Sequence, residues 1–321
     1  MEGGSERINQ VEESRAQLLC GLPDDIALFC LARVPRKYHS VLKCVCRSWR
    51  DLVCSEEWYA YRSKHNLSET WIYALCRDKY EQICCYALDP ALPRRCWKLI
   101  QGLPPRCLKR KGMGFEALGK KLYLLGGCGW SEDATDEAYC FDVSRSSWSE
   151  AASLSTARSV WESHSDTNVV PDVEDSIVFD GKIYIRCGAS AVSSHVYAVL
   201  YEPSNGTWQH ADADMASGWR GPAVVVDGAL YVLDQSSGTR LMMWQKDKRD
   251  WVAVGRLSPL LTRPPCRLVA IGKRIFIIGK GLSTVVFDIE KTGNMEGVMV
   301  SSSIPRLNSE DDVISCKCLA L

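Results

Sequence analysis

Hydrophobic and polar positions follow two regimes along the chain. Between residues 18 and 65 the apolar residues recur at helical spacing. Leu22-Pro23-Asp24-Asp25 predicts a helix start, with Pro23 in the first turn, where its missing N–H is harmless, and two carboxylates at the positive end of the helix dipole. Ile26, Phe29, Cys30 and Val34 continue the pattern, and Pro35 ends it. Leu42, Val45, Cys46, Trp49, Leu52 and Val53 then predict a single second helix with one apolar stripe, its wet face carrying Lys43, Arg47, Ser48, Arg50 and Asp51. Two helices this short cannot bury so much apolar surface on each other, so the stripe predicts an interface.

By residue 70 the pattern becomes strand-like, and a phrase repeats: a Gly, then an aliphatic, an aromatic and more aliphatics. It reads Gly119-Lys-Lys-Leu-Tyr123-Leu-Leu-Gly126-Gly127, then Gly181-Lys-Ile-Tyr184-Ile, Gly228-Ala-Leu-Tyr231-Val-Leu and Gly272-Lys-Arg-Ile-Phe276-Ile-Ile-Gly279. A second strand follows (Tyr139–Asp142, Val199–Pro203, Val286–Asp288), and a Trp on the strand after it: Trp97, Trp148, Trp208 or Trp251. Several short strands per repeat of about 45–50 residues predict a β-propeller, and the Gly-Gly with downstream Tyr and Trp resembles the kelch signature. Tyr and Trp would fill the wedges between blades. Gly126-Gly127-Cys128-Gly129 follows a strand but opens no helical pattern, so it is not read as a phosphate loop.

The first blade offers three strands, Trp71–Leu75, Ile83–Leu88 and Trp97–Ile100, while Val313–Leu321 is a lone strand at the far end. Pairing the two ends would close the ring. The repeat breaks once. The step from Tyr123 to Tyr184 exceeds the next two steps, and Val160-Trp161-Glu162-Ser163 reads as the last strand of a blade whose other strands are missing. Five blades are recognisable.

Composition narrows the function classes. Thirty-nine Lys and Arg balance thirty-nine Asp and Glu in 321 residues, which argues against a chain-wide nucleic-acid or anionic-membrane surface. No apolar run reaches the ~20 residues of a membrane span, and residues 1–17 are polar, without a signal-peptide core, and are expected to be disordered. The expected location is cytoplasmic or nuclear. There the sixteen cysteines act as small hydrophobes, and no Cys-x-x-Cys pair suggests zinc.

Leu22-Pro23-Asp24-Asp25-Ile26, Cys30-Leu31-Ala32-Arg33-Val34-Pro35 and Val45-Cys46-Arg47-Ser48-Trp49-Arg50 occur in order over about thirty residues. Together they closely resemble the F-box of plant F-box/kelch-repeat proteins of the Skp-interacting-partner type. The resemblance implies an α+β multidomain chain: an F-box helical domain over 18–65 and an all-β kelch propeller over 66–321. It also implies six blades, so one would have been lost, by alternative splicing or through a gene-model error. In function it implies the substrate-recognition subunit of an SCF-type E3 ubiquitin ligase, joined to a Skp-type adaptor and through it to cullin, with a protein substrate on the propeller. The adaptor-binding residues carried over are Leu22, Pro23, Ile26, Leu31, Val45, Cys46 and Trp49. The basic residues Arg33, Arg36, Lys37, Lys43, Arg47 and Arg50 would form a solvated rim or meet an acidic adaptor surface.

Two other classes fit the sequence less well. An oxidase on a kelch fold needs converging metal ligands, but His39, His65, His164, His195 and His210 form no close set, and no Gly-x-Ser-x-Gly motif is present. No enzyme activity, metal or cofactor is expected. A kelch scaffold outside ubiquitin ligases would not need Leu22-Pro23. Candidate substrate contacts are cationic or rigid groups between blades: Arg158, Trp219, Arg220 and Arg263, against the plainer reading that these segments are connecting turns.

Overall fold

The structure is a computed structural model, and it describes residues 17–91, 96–129, 133–157, 173–187, 197–236, 239–292, 302–304 and 310–321. The chain divides into two compact units, Met1–Glu69 together with Leu321, and Thr70–Ala320. No helix among the described residues is long and apolar enough to cross a membrane.

The first unit is helical. Helix α1 (Asp24–Ala32) has Asp24 and Asp25 in its first turn, and Pro23 stands at the cap, one position before the predicted first turn. The predicted single second helix is two, α2 (His39–Val45) and α3 (Arg47–Cys54). Cys46 is fully extended (φ −158°, ψ 170°) and breaks the run, and its Sγ accepts the Trp49 amide at 3.4 Å to cap α3. A further helix, α4 (Glu56–Lys64), follows. Ser55 Oγ accepts the Trp58 amide at 3.1 Å, Glu56 and Glu57 lie at its positive end, and Arg62 and Lys64 at its negative end.

The core of this unit is Ala27, Leu31, Ala32, Leu42, Val53, Trp58 and Tyr59, with two polar residues buried among them. Arg62 donates from Nη1 to the carbonyls of Ala32 and Val34, and from Nη2 to Leu67 O (2.6 Å) and Glu69 Oε1 (2.9 Å). Glu69 Oε1 also accepts the Arg36 amide at 2.8 Å. His39 stands edge-on to Trp58 at 5.5 Å and gives Nε2–H to Val34 O at 3.2 Å. Burial, and then the neighbouring Arg62 charge, push its pKa down to about 3, so the imidazole is neutral.

The second unit is a five-bladed propeller of four-stranded antiparallel sheets. Blade 2 is β4 (Gly114–Leu118), β5 (Lys121–Leu125), β6 (Ala138–Asp142) and β7 (Ser147–Ala151). Blade 3 is β8 (Val173–Phe179), β9 (Lys182–Cys187), β10 (Tyr197–Glu202) and β11 (Thr207–His210). A short helix, α5 (Ala213–Gly218), leads to blade 4: β12 (Ala223–Val226), β13 (Ala229–Asp234), β14 (Arg240–Gln245) and β15 (Asp250–Arg256). Blade 5 is β16 (Arg267–Ile271), β17 (Arg274–Ile278), β18 (Thr284–Asp288) and β19 (Ser302–Ile304). Blade 1 is composite: β1 (Thr70–Arg77), β2 (Ile83–Leu88) and β3 (Lys98–Ile100) are completed by the C-terminal β20 (Asp312–Ala320) on the free side of β1.

The two chain ends therefore pair as the sequence predicts, Trp71 opposite Leu319 and Ala74 opposite Cys316, with a register shift at Leu75/Cys76. A one-residue slip would reverse every side chain between the two blade interfaces, and this fixes the register.

The repeated phrase acquires its physical meaning here. Its Gly sits in the tight turn before the second strand of a blade, at φ +58° (Gly119), +73° (Gly181 and Gly228) and +56° (Gly272), a region other residues rarely occupy. Gly127 is held by space as well as angle: a Cβ there would lie 2.9 Å from Lys111 O. Three of the four downstream Trp residues face an aromatic across the outer strand pair: Phe141–Trp148 at 5.2 Å, Tyr201–Trp208 at 4.9 Å and Trp244–Trp251 at 5.4 Å, while the Trp97 indole N–H donates to Thr284 Oγ1 at 3.1 Å. Such aromatic pairs add about 0.5–1.5 kcal/mol each beyond their burial.

Between blades, Tyr231, Leu233, Leu268, Ile275 and Phe287 fill the wedge of blades 4 and 5, and Ile72, Tyr86, Trp97, Phe276 and Val286 that of blades 5 and 1. Ile177, Phe179, Trp219, Val232 and Trp244 fill the wedge of blades 3 and 4. On the other face of blade 3, Ile185, Cys187 and Val199 cluster with Ile183, Tyr197 and Trp208, all from the same blade. The expected stray strand at 160–163 lies outside the described residues.

All sixteen cysteines are free thiols. Burial pushes Cys85 up to about 12 and Cys107 up to about 11, so these two pack as neutral, apolar groups.

Candidate functional site

The first unit turns an apolar row outward. Leu22, Ile26 and Val45 are 38%, 45% and 57% exposed, and Pro23 and Cys46 are exposed too. Leu31 differs: it is buried in the core of its own unit and cannot be a direct contact. Trp49 is half-buried, and its indole N–H donates to Leu18 O at 2.7 Å, which pins residues ahead of α1 onto α3.

Phe29, Tyr38 and Val41 belong to the same exposed set and were not among the predicted site residues, although Phe29 lies in the helical pattern of α1. Val41 is 61% exposed. An α1 with Ala27, Leu31 and Ala32 inward spends two alanines and one leucine on the core and presents Ile26 and Phe29 to solvent. Charges flank the row. The Arg33 guanidinium lies 3.3 Å from the Phe29 ring centroid and bonds Phe29 O at 2.9 Å, and Lys37 stands 4.8 Å over Tyr38.

In the propeller the predicted contacts separate. Trp219 is fully buried between blades 3 and 4, so it holds the fold and does not meet a substrate directly. Arg220 and Arg263 are exposed. The Nε of Arg220 donates to Ser217 O at 3.0 Å, and the Arg263 carbonyl accepts the Lys280 amide at 2.9 Å. Arg158 lies outside the described residues.

Two polar sites lie outside every pattern visible in the sequence. Glu137 accepts Arg110 (2.6 Å), Tyr139 OH (2.8 Å) and Arg106 (2.9 Å), and these partners, Arg110 first, hold its carboxyl below the usual range. This network ties the segment after blade 1 to blade 2. The other is a cavity of about 310 Å3 among the inner strands, lined by Asp175, Ala223, Arg267, Ser315 and Lys317. Among the described residues, no group of three or more His, Cys, Asp and Glu is placed to hold a metal.

A helical unit with an outward apolar row, followed by a propeller of Gly- and Trp-marked blades, defines a two-part protein of F-box and kelch modules. The comparisons agree: the F-box domain matches residues 19–61 and the Kelch motif residues 109–155, which contain blade 2. The F-box/kelch-repeat protein SKIP4 of Arabidopsis thaliana is 48% identical over 98% of this chain and 98% of its own length. The F-box/kelch-repeat protein SKIP30 of the same plant is 23% identical over 95% of this chain and 96% of its own. The chain belongs to the F-box/kelch-repeat family. The SKIP4 alignment runs over 355 positions against the 321 residues of this chain, so that relative carries upward of thirty residues that the chain lacks.

Proposed function

We propose that the chain is the substrate-recognition subunit of an SCF-type E3 ubiquitin ligase. Its F-box unit binds a Skp-type adaptor and through it cullin, and its propeller recruits a protein substrate. The reading assigns no catalytic step, cofactor or metal to this chain, and places it in the cytoplasm or nucleus. The observation that carries it is the exposure of Leu22, Ile26 and Phe29 along the first helix and its entry and of Val41 and Val45 along the second, left in solvent by a unit whose core is already filled by other side chains. Apolar groups of this size in water are stabilised by a partner, and the flanking cations suit an acidic one.

The test is calorimetric binding of the full chain to a plant Skp-type adaptor. Ile26→Glu and Val45→Glu should each weaken binding by about tenfold or more, as removal of interface anchors commonly costs above 1 kcal/mol. Full affinity in both variants would remove the adaptor assignment and leave the scaffold reading.

A further inference from the structure

We propose that the cavity at the propeller's inner strands is the site at which substrate is read, and that it takes a carboxylate from an extended acidic peptide, with Arg267 as the principal ligand. The inference rests on the substrate-receptor reading and adds the chemical class of the substrate.

Four of the five innermost strands, β8, β12, β16 and β20, contribute to the cavity wall. Arg267 is fixed there by its own fold. Its Nε donates to Ile314 O at 2.7 Å and its Nη1 to Cys266 O at 3.0 Å. A guanidinium has five N–H donors in a rigid fork, and these bonds use two. Among the described residues the remaining three have no protein acceptor, on a side chain that lines the cavity. A cation held this way loses little conformational freedom when it grips a carboxylate with two parallel bonds.

Lys317, on the same wall, adds a second positive charge, tethered to Glu116 at 2.7 Å. Asp175 supplies the acceptor side. Its Oδ2 takes the Ala223 amide at 2.8 Å and its Oδ1 the Ser176 amide at 3.0 Å, and each oxygen keeps a lone pair for a further N–H. With Glu116 on Lys317 and Arg186 beside Asp175, three cations face two carboxylates; a net charge of one positive favours a singly charged anion over a phosphate dianion, and an anion accompanied by N–H donors is what an acidic residue within a peptide offers. The cavity lies at the end where β12 and β16 begin, directly after the segments that carry the exposed Arg220 and Arg263. The same contacts also bolt neighbouring blades together: Asp175 joins blade 3 to 4, Arg267 joins 5 to 1, and Lys317 joins 1 to 2. That structural duty sets the fork and the ammonium in place before any ligand arrives.

The experiment is fluorescence anisotropy of the full chain with three labelled, N-acetylated peptides of one length. The first has internal glutamates and an amidated C-terminus. The second has glutamine in their place and a free C-terminal carboxylate. The third has glutamine and the amide. We expect the first or the second to bind at least about tenfold more tightly than the third, with that margin lost in Arg267→Gln and in Lys317→Gln. Preference for the first assigns an internal acidic residue, and preference for the second a chain terminus. Both peptides binding no better than the third, up to millimolar concentration, would overturn the proposal, as would unchanged affinity in both variants. Melting temperature screens each variant for folding, and Lys317→Gln serves if Arg267→Gln loosens the blades. Adaptor affinity measured on the same samples separates the two readings: intact adaptor binding with no carboxylate preference refutes the cavity alone.

Discussion

Arg62→Ala should unfold the F-box unit and abolish its apolar row without touching a single residue of that row. Arg62 is 1% exposed and serves four acceptors, the carbonyls of Ala32, Val34 and Leu67 and the carboxylate of Glu69. Truncation deprives all four at once. A buried acceptor left unpaired costs roughly 1–3 kcal/mol, and breaking one partner from a buried ion pair roughly 3–5 kcal/mol. The Glu69 side chain is 25% exposed and keeps the Arg36 amide, so water relieves part of the penalty, and we place the loss at about 4 kcal/mol. Small domains have about 5 kcal/mol to lose, so most of the unit's stability would go. Arg62→Lys should recover less than half, because an ammonium cannot spread donors over carbonyls on both sides as the planar fork does. Glu69→Gln should cost less than Arg62→Ala, since an amide oxygen still accepts from Arg36. The assay is urea denaturation of the full chain followed by helical circular dichroism, with adaptor binding measured in parallel. Arg62→Ala with wild-type helical signal, midpoint and adaptor affinity would refute the reasoning.

His39 gives a pH test of the same core. Its folded pKa of about 3 lies below the ordinary 6.5, so its contribution is complete above pH 6.5 and is lost as pH falls toward 3. Between pH 6.5 and 5 the helical unit should lose about 2 kcal/mol, and His39→Phe should flatten that slope in urea titrations; an equal slope in the variant would refute it. Deleting residues 312–321 should strip β20 from β1, expose that edge and cause aggregation on heating, and a light-scattering profile equal to wild type would contradict the closure. Inserting a complete blade after Arg158 should raise the melting temperature by several degrees by covering the Ile185–Cys187–Val199 face; identical melting and solubility would show that no blade is missing in any physical sense.

The propeller was largely legible because its signals are local and repeat. The hairpin Gly and the aromatic on the strand after it recur in blades 2 to 5 and the Trp in blades 1 to 4, and the leftover strand at the C-terminus could only complete the incomplete blade at the other end. The helical unit was legible in its apolar spacing but not in its breaks. Cys46 interrupts a continuous i, i+3, i+4 pattern, and a thiol is not among the residues that ordinarily mark a helix N-terminus. The stripe was real, but its division between core and solvent depends on which neighbours fill the inside, so Leu31 went inward while Ile26 stayed out. Arg62 looks like any basic residue in the last turn of a helix; its partners lie as far as thirty residues away in sequence. Trp219 sits in a segment rich in turn residues, and nothing local shows that the wedge between blades 3 and 4 closes over it.

The break in the repeats bears on how a propeller tolerates loss. A blade needs about 45–50 residues, and the SKIP4 alignment leaves upward of thirty positions empty in this chain. Loss at that place severs no sheet. Blades 2 and 3 each keep four hydrogen-bonded strands, and the β20–β1 pairing that joins the chain ends lies in blade 1. The cost therefore falls on side-chain burial alone, at faces such as Ile185, Cys187 and Val199, and not on backbone hydrogen bonds. Backbone pairing is what makes each blade a sheet, so a chain missing one blade can still fold the other five. The cavity at Arg267 draws its wall from blades 3, 4, 5 and 1, whose wedges are filled, so the carboxylate site is expected to survive the loss.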